Sequence, residues 1–163
     1  MVIGGTGGTG AECVVQALKR GAKVTVLART PSKMVQPPGS GGADEGKPIS
    51  DPNLTVVQGD VCDAADVAKV IDGDVTGVVV SLGGKTKDVG PTMLQDGTRN
   101  IINAMKANGV TRISVVTTIG AGDSMDQAPW AFRLLMMTVM SSIMADKNEQ
   151  EGLFLNGPGA DLE

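Results

Sequence analysis

The sequence opens with MVIGGTGGTG (residues 1–10), and residues 5–10 match the glycine pattern GxGxxG. This pattern occurs where a strand turns into a helix and the turn holds a phosphate group. Gly5 is expected to permit the tight turn, Gly7 to let a pyrophosphate approach the main chain, and Gly10 to let the helix pack on the strand. Because the pattern is weak on its own, a strand must precede it and an amphipathic helix must follow it.

Both flanks meet this requirement. Residues 1–3 are apolar and predict a short strand. The apolar residues after the turn recur on one face of a helix, namely Ala11, Val14, Val15 and Leu18. Gly21 follows where a C-terminal glycine cap is expected. We therefore predict a pyrophosphate site at the N-terminus of this helix, formed by Gly4, Gly5, Thr6, Gly7, Gly8, Thr9 and Gly10. The alternative is a glycine-rich turn that binds nothing.

The rest of the chain alternates compact apolar runs with helical patterns. Strands are predicted at residues 23–27, 54–60, 75–84 and 112–118. Helices are predicted at residues 63–71, with Asp63 as the N-cap, at 92–109 and at about 129–155. Strands that are apolar on both faces are typical of a parallel sheet, so the predicted fold class is α/β with a doubly wound parallel sheet. A chain of 163 residues is long enough for one core, so residues 1–163 are expected to form a single domain.

Two segments depart from this alternation. Residues 36–53 (QPPGSGGADEGKPISDPN) are rich in Pro, Gly and Ser and predict a flexible surface loop without a packed element. Asp146 and Glu149 form a D-x-x-E pattern, which predicts a capped helix that leads into a further strand. Little sequence remains for that strand, so we expect the chain to be truncated at its C-terminus.

Composition excludes several classes of function. The net charge of −4 gives no basic surface for nucleic acid or for an anionic membrane. No histidine is present, and Cys13 and Cys62 lie far apart, so we expect no metal site and reduced thiols. The longest apolar run, residues 134–144, is shorter than the roughly 20 residues of a membrane span. These features predict a soluble, intracellular protein without a transmembrane segment.

The residues after the second predicted strand indicate which dinucleotide is favoured. NAD-selective sites place an acidic residue there to bind the ribose 2′-hydroxyl. This chain has LARTPSK instead, so Arg29 and Lys33 stand where a carboxylate is expected. Because a guanidinium can bind a 2′-phosphate through two hydrogen bonds, NADP(H) is favoured over NAD(H). The alternative is that Arg29 is only a solvated loop charge. Asp60 and Val61 follow the third strand and are predicted to contact adenine.

Six segments together resemble one known family. They are IGGTGGTG (3–10), VTVLARTPSK (24–33), VVQGDVCDAADV (56–67), VSLGG (80–84), GTRNIINAMKANGVTRI (97–113) and VVTTIGAG (115–122). The chain resembles the atypical short-chain dehydrogenase/reductases and, among these, the NmrA-like and biliverdin-IXβ (flavin) reductase-like branch. The resemblance covers residues 2–120 closely and the remainder loosely.

This resemblance implies a Rossmann-like fold, NADPH binding and reduction of flavins or linear tetrapyrroles. It implies the same residues for the pyrophosphate, 2′-phosphate and adenine sites as the motif analysis predicts. It also implies that Leu82, Gly83 and Lys85 lie along the cofactor, and that Thr118 occupies the place of a family serine at the end of the fifth strand.

One departure from the family pattern limits the mechanism. Tyrosine-dependent short-chain dehydrogenases use a Tyr-x-x-x-Lys pair, in which the tyrosine passes a proton to a carbonyl. This chain contains no tyrosine, and if Lys147 were the lysine of such a pair, Ile143 would stand in the tyrosine position. Hydride transfer then requires that solvent or the acceptor supply the proton. Thr118 is the candidate catalytic hydroxyl, and the alternative is a threonine that bonds only to the backbone.

Two functions remain open. The leading one is an NADPH-dependent reductase of a flavin-like or tetrapyrrole-like acceptor, and the alternative is a non-catalytic NADP(H)-sensing regulator or scaffold of NmrA type, which would bind a protein partner.

Four methionines of the last predicted helix are also open to two interpretations, namely Met136, Met137, Met140 and Met144. They form either an adaptable ligand pocket or a buried face, in the core or between copies of a homo-oligomer.

Overall fold

The computed structural model describes residues 1–83, 90–138 and 140–163. Within these residues the strands are β1 (Val2–Ile3), β2 (Val24–Ala28), β3 (Leu54–Gln58), β4 (Val78–Val80) and β5 (Ile113–Val115). The helices are α1 (Gly8–Lys19), α2 (Ala64–Ala68), α3 (Met93–Ala107), α4 (Trp130–Thr138) and α5 (Ser141–Leu155). In addition, 3-10 helices lie at Pro31–Lys33, Gly42–Asp44 and Gly122–Gln127.

The strands form one parallel sheet in the order β3-β2-β1-β4-β5. Ile3 of β1 pairs with Leu27 on one side and with Val80 on the other. The chain therefore moves outward from β1 to β3 and returns to the opposite side of β1 for β4. This arrangement confirms the predicted Rossmann-like α/β fold. Ligands of such sheets bind beyond the carboxyl ends of the strands where the winding direction changes, here between β1 and β4.

Apolar side chains cover both faces of the sheet. Ile3 is buried on the face that carries α2 and α3, whereas its neighbour Val2 is buried on the face that carries α1. The predicted apolar face of α1 is confirmed, because Val14 is fully buried, and Ile101 of α3 is fully buried as well. Burial on both faces explains why the strands appear in the sequence as continuous apolar runs.

The local signals at helix ends are also confirmed. The Asp63 carboxylate accepts a hydrogen bond from the Ala65 amide at 2.8 Å and so caps α2. Gly21 follows α1 with a positive φ of 76°. A left-handed residue at this position ends a helix and favours glycine.

The predicted strands 75–84 and 112–118 are longer than the observed ones. β4 and β5 span three residues each, and the chain then leaves the sheet at the edge where the winding changes. The first residues beyond both strands still pair with their neighbours, since Ser81 donates to Ile3 at 2.9 Å and Val116 donates to Val80 at 2.8 Å. At the other end of β5, the Ile113 amide donates to the Glu163 carbonyl at 2.7 Å, so the last residue lies beside this strand.

The helical stretch predicted over residues 129–155 is divided into two helices. α4 ends at Thr138 and α5 begins at Ser141. The Thr138 hydroxyl donates to the Leu134 carbonyl at 2.8 Å, a bond that competes with the helical pattern and bends helices. Neither α4, α5 nor any other described helix is long and apolar enough to cross a bilayer.

Residues 36–53, which are predicted to form a flexible surface loop, make contacts with one another and with α1, and their flexibility stays a prediction. This segment contains the 3-10 helix Gly42–Asp44, and an isolated bridge joins Val35 to Pro48. Its anchor is Glu12 of α1, whose Oε1 accepts hydrogen bonds from the amides of Gly39 at 2.8 Å and Ser40 at 3.0 Å. Gln16 of α1 adds a bond to the Ser40 hydroxyl at 2.7 Å. The loop thus lies against the outer face of α1.

We expect Glu12→Ala to release this loop. Hydrogen bonds from the Ser40 side chain and from the two amides hold the pKa of Glu12 below its ordinary value. Because the folded pKa is depressed, the anchor is complete above the unfolded pKa and is lost as the pH falls through the folded pKa. Limited proteolysis should therefore cut within residues 36–53 faster in Glu12→Ala, and faster at acidic pH in the unsubstituted protein. Glu45→Ala, in the same loop, is the matched control, and equal cleavage of the two variants would contradict the anchor.

Candidate active site

The glycine turn after β1 depends on close backbone contacts. Gly4 has a φ of +84°, and a Cβ there would overlap the Ser81 carbonyl oxygen. A Cβ at Gly10 would overlap the Gly4 carbonyl oxygen, and the Gly7 amide donates to that same oxygen at 3.1 Å. The tight turn is therefore at Gly4 and not at Gly5, which corrects the role assigned from the GxGxxG match. A Cβ at Gly5 would lie 2.7 Å from Val26 Cγ1, so Gly5 instead permits close packing on β2.

The start of α1 fits a phosphate group. The helix begins at Gly8, its N-cap Gly7 makes no side-chain cap bond, and its first turn contains no acidic residue. The amides of a first helical turn have no partner within the helix, and they attract anions together with the helix dipole. A Cβ at Gly8 would meet no atom within 4 Å, so the main chain is open to a ligand there. The chemistry of these donors suits the pyrophosphate of a dinucleotide.

A cavity of about 640 Å³ extends from this turn across the carboxyl ends of β4 and β5 to α5. It brings together several residues that the sequence analysis selected: Gly7, Gly8, Thr9, Leu82, Gly83 and Thr118. Gly4, Gly5 and Gly10 shape the turn through the backbone contacts described above. Lys85, which was also selected, lies outside the described residues. Thr6 lies in the turn and is exposed. The other selected residues, Arg29, Lys33, Asp60 and Val61, lie beyond β2 and β3.

Thr118 follows β5 and lines this cavity. It is half-buried, and its carbonyl accepts a hydrogen bond from the Ala121 amide at 3.2 Å. Over residues 1–83, 90–138 and 140–163 its hydroxyl has no hydrogen-bond partner. With respect to these residues, the hydroxyl is available to form a hydrogen bond with a bound molecule.

Arg29 and Lys33 are both exposed and follow the carboxyl end of β2. Ile3 of β1 pairs with Leu27 of the parallel strand β2. Gly5 lies two residues after Ile3, and Arg29 lies two residues after Leu27. Both residues therefore follow the same edge of the sheet. Arg29 also lies near the loop after β3. Burial is the main cause that raises the pKa of the Cys62 thiol, and Arg29 opposes this rise. The guanidinium is therefore close enough to Cys62 to act on its thiol.

Asp60 and Val61 are held by the protein itself. The Asp60 carboxylate accepts a hydrogen bond from the Cys62 amide at 2.9 Å. Val61 has its side chain in the core, and its carbonyl accepts a hydrogen bond from the Asn100 side chain at 3.0 Å. The fold brings both residues to the same sheet edge as Arg29, and their contact with adenine stays a prediction.

Lys147 of α5 is a further candidate site residue, which the sequence analysis considers only as the partner of a missing tyrosine. It is 7% exposed and lines the cavity together with Ile143. Its Nζ donates to the Val116 carbonyl at 3.2 Å, to Gln150 Oε1 at 3.2 Å and to the Leu82 carbonyl at 3.5 Å. Burial lowers the pKa of the ammonium, while Glu151 and Asp146 partly offset this effect. Lys147 thus joins α5 to the ends of β4 and β5.

Asp146 has a different role from the one predicted. The D-x-x-E pattern does not cap its own helix, because Asp146 and Glu149 lie inside α5. Instead the buried Asp146 carboxylate accepts hydrogen bonds from the amides of Leu94 at 2.8 Å and Gln95 at 2.9 Å. It therefore caps the N-terminus of α3, where Thr92 makes no side-chain cap bond. The signal available in the sequence was a pair of adjacent charged residues, Asp146 and Lys147, within the predicted helical stretch.

The methionines of the last two helices are divided between roles. Met144 is buried and packs with Ala121 and Ala128, while it also lines the cavity together with Met140. The side chains of Met136 and Met137 lie outside the described part of the structure. Both interpretations, a pocket wall and a core face, therefore apply to Met144.

The chain is similar to several known proteins. "Reductase pytE" of Aspergillus terreus is 30% identical over 174 residues, which cover 94% of this chain and 65% of that protein. The solved structure of ChuY, an anaerobilin reductase from Escherichia coli O157:H7, has a TM-score of 0.69 at 21% identity. A short-chain dehydrogenase/reductase from Veillonella parvula, solved in complex with NADP, has a TM-score of 0.70 at 13% identity.

These two structural likenesses establish the fold alone. They cover 96% of this chain, and 66% and 63% of ChuY and the Veillonella protein respectively. The chain thus spans slightly less than two thirds of the length of each relative named here. The family of NAD(P)H-binding proteins matches residues 4–157, from the glycine turn to the end of α5. The chain therefore belongs to the NAD(P)H-binding family, and it has reductases among its relatives.

Proposed function

We propose that this chain binds NADP(H) in preference to NAD(H) and reduces a flavin-like or tetrapyrrole-like acceptor. The observation that carries the proposal is the cavity itself, which extends from the start of α1 to Thr118 beyond the end of β5. When bound, the cofactor supplies a hydride to the acceptor. Membership of the NAD(P)H-binding family and the reductase relatives support this proposal.

The residues of the chain have separate tasks in this proposal. Gly4, Gly7 and Gly10 shape the turn, and the first amides of α1 bind the pyrophosphate. Arg29 and Lys33 bind the 2′-phosphate, while Asp60 and Val61 contact the adenine. Leu82, Gly83 and Lys85 lie along the cofactor. The Thr118 hydroxyl donates a hydrogen bond that orients the acceptor.

Arg29→Ala should remove the preference for NADPH. A guanidinium forms charge-assisted hydrogen bonds with a phosphate, so its loss should weaken NADPH binding by about 10-fold to 100-fold, equivalent to about 1.5 to 3 kcal/mol. NADH binding should change little. The fluorescence of the reduced nicotinamide measures both dissociation constants. Arg20→Ala, at the end of α1, is the control, and an unchanged NADPH:NADH ratio in Arg29→Ala would contradict this assignment.

The reductase activity is tested by NADPH oxidation with FMN, riboflavin or biliverdin as the acceptor. We expect acceptor-dependent oxidation by the unsubstituted chain and a loss of about 10-fold in Thr118→Val, since one orienting hydrogen bond is removed. Thr55→Val, on an exposed position of β3, is the matched control. Equal rates with and without every acceptor would contradict the reductase.

The alternative is an NADP(H) sensor that binds a protein partner and does not turn over. The observation that favours it is the absence of tyrosine and histidine from the whole sequence, which removes the two commonest proton donors of such sites. Tight NADPH binding without oxidation by any of the three acceptors would support the sensor over the reductase.

A further inference from the structure

The wall of the cavity contains the buried ammonium of Lys147. No carboxylate of the described residues lies within ion-pair distance of Lys147 Nζ. Its hydrogen-bond acceptors are two backbone carbonyls and the neutral amide of Gln150. Burying a charge costs free energy, so an ammonium that is held by neutral acceptors at a cavity is a candidate for function.

Among the described residues, the charged groups that act on Lys147 are Asp146 and Glu151 of its own helix, which favour its protonated form. The two Asp146 oxygens already accept the amides of α3. The residues that follow β4 and β5 present the backbone carbonyls of Leu82 and Val116 to the ammonium. Its third acceptor, Gln150, donates in turn to the Thr98 hydroxyl of α3 at 2.9 Å. Desolvation is the largest influence on the pKa of Lys147, and it makes the ammonium a better proton donor than an exposed lysine.

We infer that Lys147 Nζ supplies the proton that the acceptor takes up on reduction, in place of the tyrosine that this chain lacks. This inference rests on the proposed reductase function. One Nζ–H bond breaks and one bond forms from that proton to a nitrogen or oxygen of the acceptor. The acceptor gains the hydride, the cofactor is oxidised, and the neutral amine recovers its proton from water. The substrate class is thus a conjugated acceptor with a basic heteroatom, such as a flavin or a linear tetrapyrrole.

The hydrogen bonds of Lys147 permit this transfer. Its three N–H groups meet three acceptors, and the contact with the Leu82 carbonyl is the longest at 3.5 Å. That bond is the weakest of the three, so an acceptor in the cavity can take its place. Ile143, one turn earlier on α5, also lines the cavity and has no proton to exchange. Lys147 is therefore a catalytic residue in this inference, and Gln150 is a positioning residue.

The first test measures the protonation of Lys147 directly. In protein labelled with ¹³C and ¹⁵N at lysine, the Nζ resonance of Lys147 is assigned from its loss in Lys147→Met and followed against pH. We expect Lys147 to titrate below the ordinary pKa of a lysine side chain, with and without NADP⁺. Titration of Lys147 at that ordinary value would overturn the inference, whatever the activity of the protein.

The second test compares pH profiles of NADPH oxidation with FMN. A general acid contributes about 100-fold or more, so both Lys147→Met and Lys147→Arg should lower kcat by about that factor, because a guanidinium keeps the charge but cannot release its proton. Gln150→Glu places a carboxylate beside Nζ and raises the pKa of Lys147. The alkaline loss of kcat should then move to higher pH, an effect that a purely structural lysine would not produce. Lys106→Met is the control.

The outcomes separate this inference from the proposed function. No NADPH oxidation by the unsubstituted protein overturns the reductase and the inference with it. Oxidation whose alkaline limb is the same in Gln150→Glu and in the unsubstituted protein overturns only the role of Lys147, as does full activity in Lys147→Arg. A shifted limb together with inactive Lys147→Arg supports it.

Discussion

Gly10→Ala should abolish nucleotide binding at the concentrations where the unsubstituted chain is saturated. Its Cβ would overlap the Gly4 carbonyl oxygen, so the turn must open and the first amides of α1 must move. Overpacking of this kind costs up to about 3 kcal/mol, which corresponds to a loss of affinity for NADPH of about 100-fold. Fluorescence of bound NADPH measures the affinity, and circular dichroism shows whether the fold persists.

Gly8→Ala is the matched control for this substitution. A Cβ at Gly8 meets no protein atom within 4 Å, although the residue belongs to the same turn. Its free energy of unfolding should therefore equal that of the unsubstituted chain within about 0.5 kcal/mol. If Gly10→Ala bound NADPH as tightly as the unsubstituted chain, the turn would not be the phosphate site.

Asp146→Ala should be the most destabilising substitution outside the apolar core. It leaves the amides of Leu94 and Gln95 without their acceptor, and the Leu94 amide is buried. Loss of a cap combined with unpaired donors costs about 2 to 3 kcal/mol. The urea midpoint should fall accordingly at an unchanged slope. Gly90, Pro91 and Leu94 line the cavity, so NADPH binding should weaken as well.

Glu149→Gln separates this cap from a general effect of charge on α5. Glu149 makes one contact with the first turn of α3, a hydrogen bond of 3.3 Å from the Gln95 side chain. Glutamine keeps an acceptor there, so the free energy of unfolding should change by less than about 0.5 kcal/mol. Equal losses in Asp146→Ala and Glu149→Gln would contradict the specific role of Asp146.

The sequence predicted the features that depend on neighbouring residues. The strand, turn and helix of residues 1–21 are local, because a glycine with a positive φ and an apolar helical face are both recognisable within a few residues. The same holds for the Asp63 cap. The parallel sheet followed from the apolar strands, since each must be covered on both faces.

The features that the sequence did not predict depend on contacts between distant residues. Glu12 and Gly39 are 27 residues apart, and Asp146 and Leu94 are 52 apart. The D-x-x-E pattern was assigned to the nearest helix, although its partner is the start of α3. Lys147 is a further case, because its environment comes from the ends of β4 and β5, and only the fold brings those ends together.

The most direct test of the account is a titration of ¹⁵N-labelled protein with NADPH, followed through the amide resonances. The account predicts saturable shifts at Gly7, Gly8 and Thr9, with further shifts at Arg29 and Thr118 and weaker shifts when NADH replaces NADPH. No shifts in the turn, or shifts confined to residues away from the cavity, would contradict the assignment of this cavity as the nucleotide site.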